Sequence, residues 1–101
     1  MDKQTLEKPL TMSSQIKVGN DVIFAELGDE VSLLNNSSGV YYTLNVVGAS
    51  IWRQLSQPTT LTEIKNRLLG EFNVDNARCE GDLLRLITEL REHGLIEVAV
   101  P

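Results

Sequence analysis

Short runs of strand-forming residues alternate with turn residues over the first half of the chain. From Gln15 onward the order is IKV, GND, VIFAEL, GD, VSLLN, NSSG and VYYTL. Gly28 with Asp29, and Ser38 with Gly39, accept the positive φ angles of tight hairpin turns. The pattern predicts an antiparallel meander in which each strand pairs with the one before it. VYYTL is its last strand, with an open edge, and the remaining strand candidate is LIEVA near the C-terminus.

The spacing of apolar residues changes from two to about 3.6 after VYYTL, which predicts helices in the second half of the chain. Asn45 is a suitable N-cap for the first helix. Thr60 and Glu63 form the sequence of a capping box at the start of the second. The third helix begins after Asp75 and runs for about 18 residues until Gly94 ends it. A sheet followed by three helices is an α+β order, typical of winged-helix-like and peptide-binding domains.

Each predicted helix carries an apolar stripe at core spacing. The stripes are Val47, Ile51, Trp52 and Leu55, then Leu61, Ile64, Leu68 and Phe72, then Cys79, Leu83, Leu86, Ile87 and Leu90. Two positions of the third helix do not match the pattern of a helix with one apolar stripe. Leu84 is apolar but lies at the edge of the stripe, where it is either a groove wall or part of a wider core stripe. Gly81 costs about 1 kcal/mol relative to alanine inside a helix, which indicates a close backbone approach or simple tolerance.

Composition limits the function classes that the chain can serve. Its 101 residues make one domain, and a formal net charge of -5 disfavours nucleic acid and acidic membrane surfaces as partners. One cysteine and one histidine exclude an internal disulfide and a zinc site built from several such ligands. No signal peptide or membrane-spanning run is found. We expect a cytoplasmic protein with a flexible arm at residues 1–14 and a folded domain at residues 15–101.

The sequence contains no recognisable catalytic group. A nucleophilic cysteine needs a nearby base, and Cys79 and His93 would lie roughly 20 Å apart on one helix. Cys79 is better explained as a core residue and His93 as a cap at the helix end. The carboxylates show no pairing typical of general acid-base catalysis. We expect a protein that is not an enzyme and that uses no cofactor or metal ion.

A winged-helix DNA-binding regulator is the alternative interpretation. Its recognition helix would have to present cations to the phosphate backbone. The third helix instead interleaves three arginines with four carboxylates: Arg78, Arg85 and Arg91 with Glu80, Asp82, Glu89 and Glu92. Lys65 and Arg67 on the second helix add little positive charge. The charge pattern therefore disfavours DNA binding.

Peptide binding agrees better with the open strand edge. Such an edge can accept an extended segment whose backbone completes the ladder while alternate side chains enter neighbouring pockets. Along VYYTL, Val40, Tyr42 and Leu44 share one face and Tyr41 and Thr43 share the other. One set must therefore belong to the core, and the other is available.

Three stretches, LLNNSSGVYYTLNVVGASIW, TLTEIKNRLLGEF and DLLRLITELREHGLIE, resemble the PqqD-like family. These small domains, also called RiPP recognition elements, bind the leader segments of ribosomally made precursor peptides. The most specific feature is the G-x-Y-Y-x-L-N run, Gly39 to Asn45, and the resemblance covers residues 20–98. It implies a three-stranded antiparallel sheet packed on three helices. The leader would add as a fourth strand beside the last sheet strand, against the last helix.

The same resemblance implies which residues bind the leader. The backbone ladder would come from the last sheet strand, namely Val40, Tyr41, Tyr42, Thr43 and Leu44. The third helix would border the groove with Asp82, Arg85, Leu86 and Glu89, of which Asp82 matches the acidic position of the family. On the third helix, Asp82 with Arg85 and Arg85 with Glu89 are also ordinary charge pairs of a helix surface.

Two pathways are implied for a free-standing chain of this family. In a lasso-peptide pathway the processing enzyme would be a leader peptidase, and in a PQQ pathway it would be a radical SAM enzyme. The short, compact domain slightly favours the lasso type. In both, the chain would deliver its peptide without catalysing a reaction. An open strand edge could also pair with a second copy, so a homodimer is a competing expectation.

Overall fold

The structure, a computed structural model, describes residues 9–99. Within that range the chain forms six strands and three α-helices. The strands are β1 (Gln15–Val18), β2 (Val22–Leu27), β3 (Glu30–Asn35), β4 (Val40–Leu44), β5 (Thr59–Thr60) and β6 (Ile96–Ala99). The helices are α1 (Val46–Arg53), α2 (Leu61–Glu71) and α3 (Asn76–Glu92), and a 3-10 turn spans Gln54–Ser56. The predicted α+β class, a three-stranded antiparallel sheet followed by three helices, is confirmed.

Strands β2, β3 and β4 form the predicted meander. Ile23 lies opposite Leu34, and Leu34 lies opposite Tyr41 on the next strand. Gly28 and Gly39 take φ angles of 67° and 77° in the two hairpin turns, which glycine adopts without steric cost. In the described part of the chain β4 pairs with β3 alone, so its other edge is open.

The prediction that β1 pairs with β2 is wrong. Strand β1 is the centre of a second antiparallel sheet, in the order β5-β1-β6, so the run LIEVA provides its neighbour. The link after β1 explains the difference. The Gly19 N–H donates to Leu95 O at 3.0 Å, and a Cβ on Gly19 would lie only 2.6 Å from Gly94 O. The glycine therefore holds the end of β1 against the chain that follows α3.

The predicted helix ends are confirmed. Asn45, Thr60 and Asp75 each accept a hydrogen bond from a backbone N–H in the first turn of their helix, and Glu63 completes the capping box. Gly94 follows α3 with a φ of 71°, the left-handed conformation in which helices commonly end. These local signals fix where each helix starts and stops.

One core joins both sheets to the three helices. It contains Ile16, Val31, Leu33, Leu44, Ala49, Ile51, Trp52, Leu55, Leu61, Ile64, Leu68, Cys79, Leu83, Ile87, Leu90, Leu95 and Ile96. Of the predicted helix stripes, only Val47, Phe72 and Leu86 are not buried. Incomplete burial of these three stripe positions marks where the core opens to the surface.

The N-terminal part of the described chain packs on this core. Leu10 and Met12 are half-buried against it, and Met12 O accepts from the Thr62 N–H at 2.9 Å. Residues 1–8 of the predicted arm, and residues 100 and 101 of the predicted domain, lie outside the described residues. Between residues 9 and 99 no helix has both the length and the apolar character needed to cross a membrane.

Asn35 ties the β3-β4 turn to the end of α3. Its Nδ2 donates to His93 O at 2.9 Å, and its Oδ1 accepts from the backbone N–H groups of Ser37 and Ser38 at 3.0 and 3.2 Å. Because Asn35 is buried, replacing it by alanine removes three bonds and leaves their partners poorly satisfied. We expect Asn35→Ala to lower the free energy of unfolding by about 1–3 kcal/mol, measured by urea denaturation.

The neighbouring Asn36 provides the control, because it is exposed. We expect Asn36→Ala to change the free energy of unfolding by less than about 0.5 kcal/mol. Equal losses for the two variants would contradict the role assigned to Asn35.

Candidate functional site: a groove beside an open strand edge

An apolar groove of about 490 Å³ lies between β4 and α3. Strand β4 and helix α3 face each other across it, and α1, α2 and the link before α3 complete its lining. The lining residues are Tyr42, Thr43, Leu44, Asn45, Val47, Gly48, Ile51, Leu68, Phe72, Val74, Cys79, Asp82, Leu83, Arg85, Leu86 and Glu89. Most of these side chains are apolar, so the groove suits an apolar side chain from a ligand.

The open edge of β4 presents backbone groups beside this groove. Alternate residues of a strand point their N–H and C=O groups to opposite sides. The Asn36 N–H donates to Asp21 O at 2.8 Å, on the side of β2. The backbone N–H and C=O groups of the preceding residue, Asn35, therefore point toward β4. Asn35 lies opposite Val40. The backbone N–H and C=O groups therefore hydrogen-bond to β3 at Val40, Tyr42 and Leu44. At Tyr41 and Thr43 they point to the open edge.

The side chains of β4 divide between two environments. Val40, Tyr42 and Leu44 lie on the inner face, with Leu44 buried and the other two half-buried. Tyr41 and Thr43 are exposed on the outer face of the sheet. The core set and the available set, which the sequence left unassigned, are thereby identified.

Seven of the nine predicted site residues line the groove. They are Tyr42, Thr43, Leu44, Asp82, Arg85, Leu86 and Glu89. Val40 and Tyr41 do not line it; Tyr41 reaches the site through its edge-facing backbone groups instead. The geometry thus brings the two predicted segments, 38 residues or more apart in sequence, to opposite sides of one groove.

Sequence reasoning missed the α1 and α2 contributions to the groove. Val47, Ile51, Leu68 and Phe72 line it, yet their spacing matched that of ordinary core positions. Gly48 lets α1 lie close to β4, because a Cβ there would be 3.1 Å from two Leu44 atoms. Its place three residues after the predicted N-cap Asn45 was the available signal.

The two unassigned positions of α3 do not belong to the groove. Leu84 is half-buried against the core and is absent from the groove lining. A Cβ built on Gly81 would have no atom within 4 Å. Leu84 therefore widens the core stripe, and Gly81 marks no close backbone approach.

Charged residues border the groove along α3. Asp82 lies 3.3 Å from Arg85 and 3.8 Å from Arg78, and both pairs are well exposed. Glu89 accepts a hydrogen bond from the Tyr42 hydroxyl, which bridges the two walls. Exposed pairs of this kind contribute little to stability, so the charges of Asp82 and Arg85 are available to a ligand.

Tyr42 provides a pH-dependent contact between β4 and α3. Its hydrogen bond to the Glu89 carboxylate, together with partial burial, raises the pKa of the phenol above its ordinary value of 10.0. A raised pKa in the folded state means that the contact stabilises the fold below about pH 10 and is lost as the pH rises through the folded value. The wall-to-wall bond therefore weakens in strong alkali.

We expect Tyr42→Phe to lower the free energy of unfolding by about 0.5–1.5 kcal/mol at pH 7, because one partly exposed hydrogen bond is lost. Thermal melts from pH 8 to pH 11 check the assignment. Wild-type stability should fall toward that of Tyr42→Phe at the alkaline end. A constant difference between the two proteins across this range would contradict the Tyr42–Glu89 contact.

The groove carries no recognisable catalytic or metal-binding group. Burial raises the pKa of the Cys79 thiol, which keeps it protonated and a poor nucleophile. Among residues 9–99 no group of three or more His, Cys, Asp or Glu side chains is placed to hold a metal ion. What the groove offers is an apolar surface, two exposed charges and a row of free backbone groups.

These features define an α+β domain with an open strand edge beside an apolar groove. A family model described as Coenzyme PQQ synthesis protein D (PqqD) matches residues 30–96. The chain therefore belongs to the PqqD family, and its predicted identity as a PqqD-like RiPP recognition element is confirmed.

Two solved structures have a fold similar to that of this chain. TbiB1 in complex with the TbiA(beta) leader peptide is 32% identical, with a TM-score of 0.77 over 84% of this chain and 99% of that chain. A lasso peptide synthetase B1 complexed with the leader peptide is 25% identical, with a TM-score of 0.66 over 85% of this chain and 98% of that one. A search of curated proteins gave no match.

Proposed function

We propose that this chain binds the leader segment of a ribosomally made precursor peptide by adding it as a strand to the open edge of β4. The carrying observation is the open β4 edge, with the N–H and C=O groups of Tyr41 and Thr43 directed outward, next to an apolar groove. Membership of the PqqD family supports the proposal, as do two similar structures that hold leader peptides.

The ladder and the groove have different tasks. Backbone bonds to Tyr41 and Thr43 fix the register of the leader but recognise no particular sequence. Alternate leader side chains then point into the groove, which Leu44 of β4 and Leu86 of α3 both line. Ordering a flexible leader is entropically costly, so apolar anchors in the groove supply most of the affinity. Asp82, Arg85 and Glu89 select the charges of the flanking leader residues.

The complete proposed site is the set predicted from the sequence. It comprises Val40, Tyr41, Tyr42, Thr43, Leu44, Asp82, Arg85, Leu86 and Glu89. Val40 and Leu44 support the strand from its inner face, and Tyr42 and Glu89 hold the two walls in register through their hydrogen bond.

The chain makes and breaks no bond in this proposal. It raises the effective concentration of the peptide at a processing enzyme, which gains affinity without new contacts at its own active site. A lasso-type pathway with a leader peptidase is favoured over a PQQ-type pathway with a radical SAM enzyme, because one similar structure is a lasso peptide synthetase B1. We place this delivery in the cytoplasm, where ribosomal precursors are made.

Fluorescence anisotropy tests the proposal. The probe is a labelled synthetic leader from the precursor gene that neighbours the gene of this chain, titrated at physiological salt beside a labelled DNA duplex. Saturable leader binding without a DNA response is expected. DNA binding without leader binding would instead support the winged-helix regulator, and it would overturn the proposal.

A further inference from the structure

A polar cleft of about 460 Å³ lies between α1, the 3-10 turn that follows it, and α2. Four charged side chains and one amide that line it are those of Arg53, Gln54, Glu63, Arg67 and Glu71. We call this feature the polar cleft. It shares no lining residue with the apolar groove between β4 and α3. Its volume is within the range of ordinary ligand sites, so it is a second place where the domain could hold another molecule.

The side-chain oxygen of Gln54 has no hydrogen-bond partner in the described part of the chain, although it is buried. Buried polar groups are nearly always hydrogen-bonded, because a buried acceptor without a donor has lost its bonds to water and gained nothing in return. No other side chain between residues 9 and 99 has such an atom. Since Gln54 lines the polar cleft, a donor that enters the cleft would satisfy this oxygen.

Glu71 adds a carboxylate to the same cleft. Ser50, buried on α1, donates a hydrogen bond from its hydroxyl to Glu71 Oε1, and this bond holds the carboxylate beside α1. Ser50 and Gln54 are four positions apart, one helical turn, so Glu71 is anchored next to Gln54. A carboxylate has about four acceptor sites. Glu71 can therefore accept further donors from a ligand that also reaches the Gln54 oxygen.

The charge of the polar cleft favours a cation. Arg53 Nε donates to Glu26 Oε1 at 2.9 Å, so its charge is already paired. Arg67 follows Glu63 by four positions on α2, the spacing of an ordinary charge pair on a helix. Glu71 forms no salt bridge with any residue from 9 to 99. The two arginines are thus offset, and the carboxylate beside Gln54 is left for an incoming positive charge.

We propose that the polar cleft is a second binding site, which takes the guanidinium of an arginine side chain presented by a partner protein. A guanidinium has five N–H donors in one plane and no acceptor, so it can donate to Gln54 Oε1 and to the Glu71 carboxylate together. It is also more weakly hydrated than the ammonium of lysine, which makes entry beside a buried oxygen less costly. The site is distinct from the proposed leader site, and both can be occupied at once.

An NMR titration of the full chain with a blocked alanine-arginine-alanine tripeptide tests the chemistry of the site. The same tripeptide with citrulline is the matched probe, because citrulline has nearly the shape of arginine without its charge. At equal ionic strength we expect saturable shifts of the backbone amides at Arg53, Gln54 and Glu71 with the arginine tripeptide alone. A single side chain should bind with a Kd on the order of 1 mM.

Gln54→Met removes the amide and keeps a side chain of similar length. We expect this variant to bind the arginine tripeptide about tenfold more weakly, because a hydrogen bond from a charged donor is lost. Its urea midpoint should equal or exceed that of the wild type, because an unsatisfied buried acceptor has been removed. Gln15→Met is the matched control, since Gln15 is exposed on β1 and does not line the cleft. It should behave as the wild type in both measurements.

Five results would overturn the inference. Equal shifts with the arginine and citrulline tripeptides, or wild-type affinity in Gln54→Met, would remove the proposed guanidinium site. Shifts with a glutamate tripeptide instead would mean that the cleft takes an anion. A lower urea midpoint in Gln54→Met than in Gln15→Met would mean that the Gln54 oxygen has a partner inside the domain. Leader that shifts the same amides would assign the cleft to the leader. The anisotropy test of leader binding is separate, so the two proposals can fail independently.

Discussion

Proline in place of Thr43 should reduce leader affinity by about ten- to hundredfold while leaving the fold intact. The Thr43 N–H points to the open edge of β4 and has no bond to β3, so proline removes a ladder donor for the leader without breaking the sheet. The proline ring also occupies the space that the incoming strand needs. Fluorescence anisotropy gives the affinity, and circular dichroism with a thermal melt shows whether the fold persists.

Thr43→Ala is the control, because it removes the side chain and keeps the N–H. We expect its leader affinity to lie near that of the wild type. Tyr41→Pro should behave like Thr43→Pro, since Tyr41 is the other edge-facing residue. Wild-type affinity in both proline variants, with the fold intact, would exclude strand addition and leave the groove alone as the leader site.

Replacing Ile87 by alanine should lower the free energy of unfolding by about 2–5 kcal/mol. Ile87 is fully buried in α3, which packs on α2 and β6, and it does not line the groove. The lost side chain leaves a cavity that close-packed neighbours cannot fill. The whole free energy of unfolding of a small domain is about 5–15 kcal/mol, so this variant should approach the limit of stable folding. Urea denaturation measures the change.

Gly81→Ala, on the same helix, should raise the free energy of unfolding instead of lowering it. Gly81 is exposed in the middle of α3, with open space where a Cβ would lie. Alanine should stabilise the domain by about 0.5–1 kcal/mol, because it restricts the unfolded chain and favours the helix. Destabilisation by this change would mean that Gly81 makes a contact in solution that the fold does not explain.

Leader binding and folding should therefore respond to different substitutions. Among residues 9–99 no strand pairs with the edge-facing backbone groups of β4, so Thr43→Pro changes binding more than stability. Ile87 touches no ligand surface, so its truncation lowers stability and affects binding only through the folded fraction. Tyr42 and Leu86 contribute to both leader binding and stability, because each is half-buried and lines the groove. Their substitution would mix the two effects.

The candidate site was only partly predictable from the sequence. The G-x-Y-Y-x-L-N run and the charged positions of α3 identified the two walls, because they resemble a known family. The α1 and α2 residues of the groove were missed, since Val47 and Phe72 follow the same 3.6-residue spacing as core positions. Spacing along one helix cannot distinguish a side chain that faces the core from one that faces a gap between elements.

What the sequence by itself determined is local. Asn45, Thr60 and Asp75 capped the helices as predicted, and Gly39 turned the hairpin, because each of these signals acts within a few residues. The tertiary structure alone decided the partner of β1, which depends on a contact between Gly19 and Leu95, 76 positions apart. It likewise decided which β4 groups face the open edge and where the core stays open, because both follow from how distant elements pack rather than from any one segment.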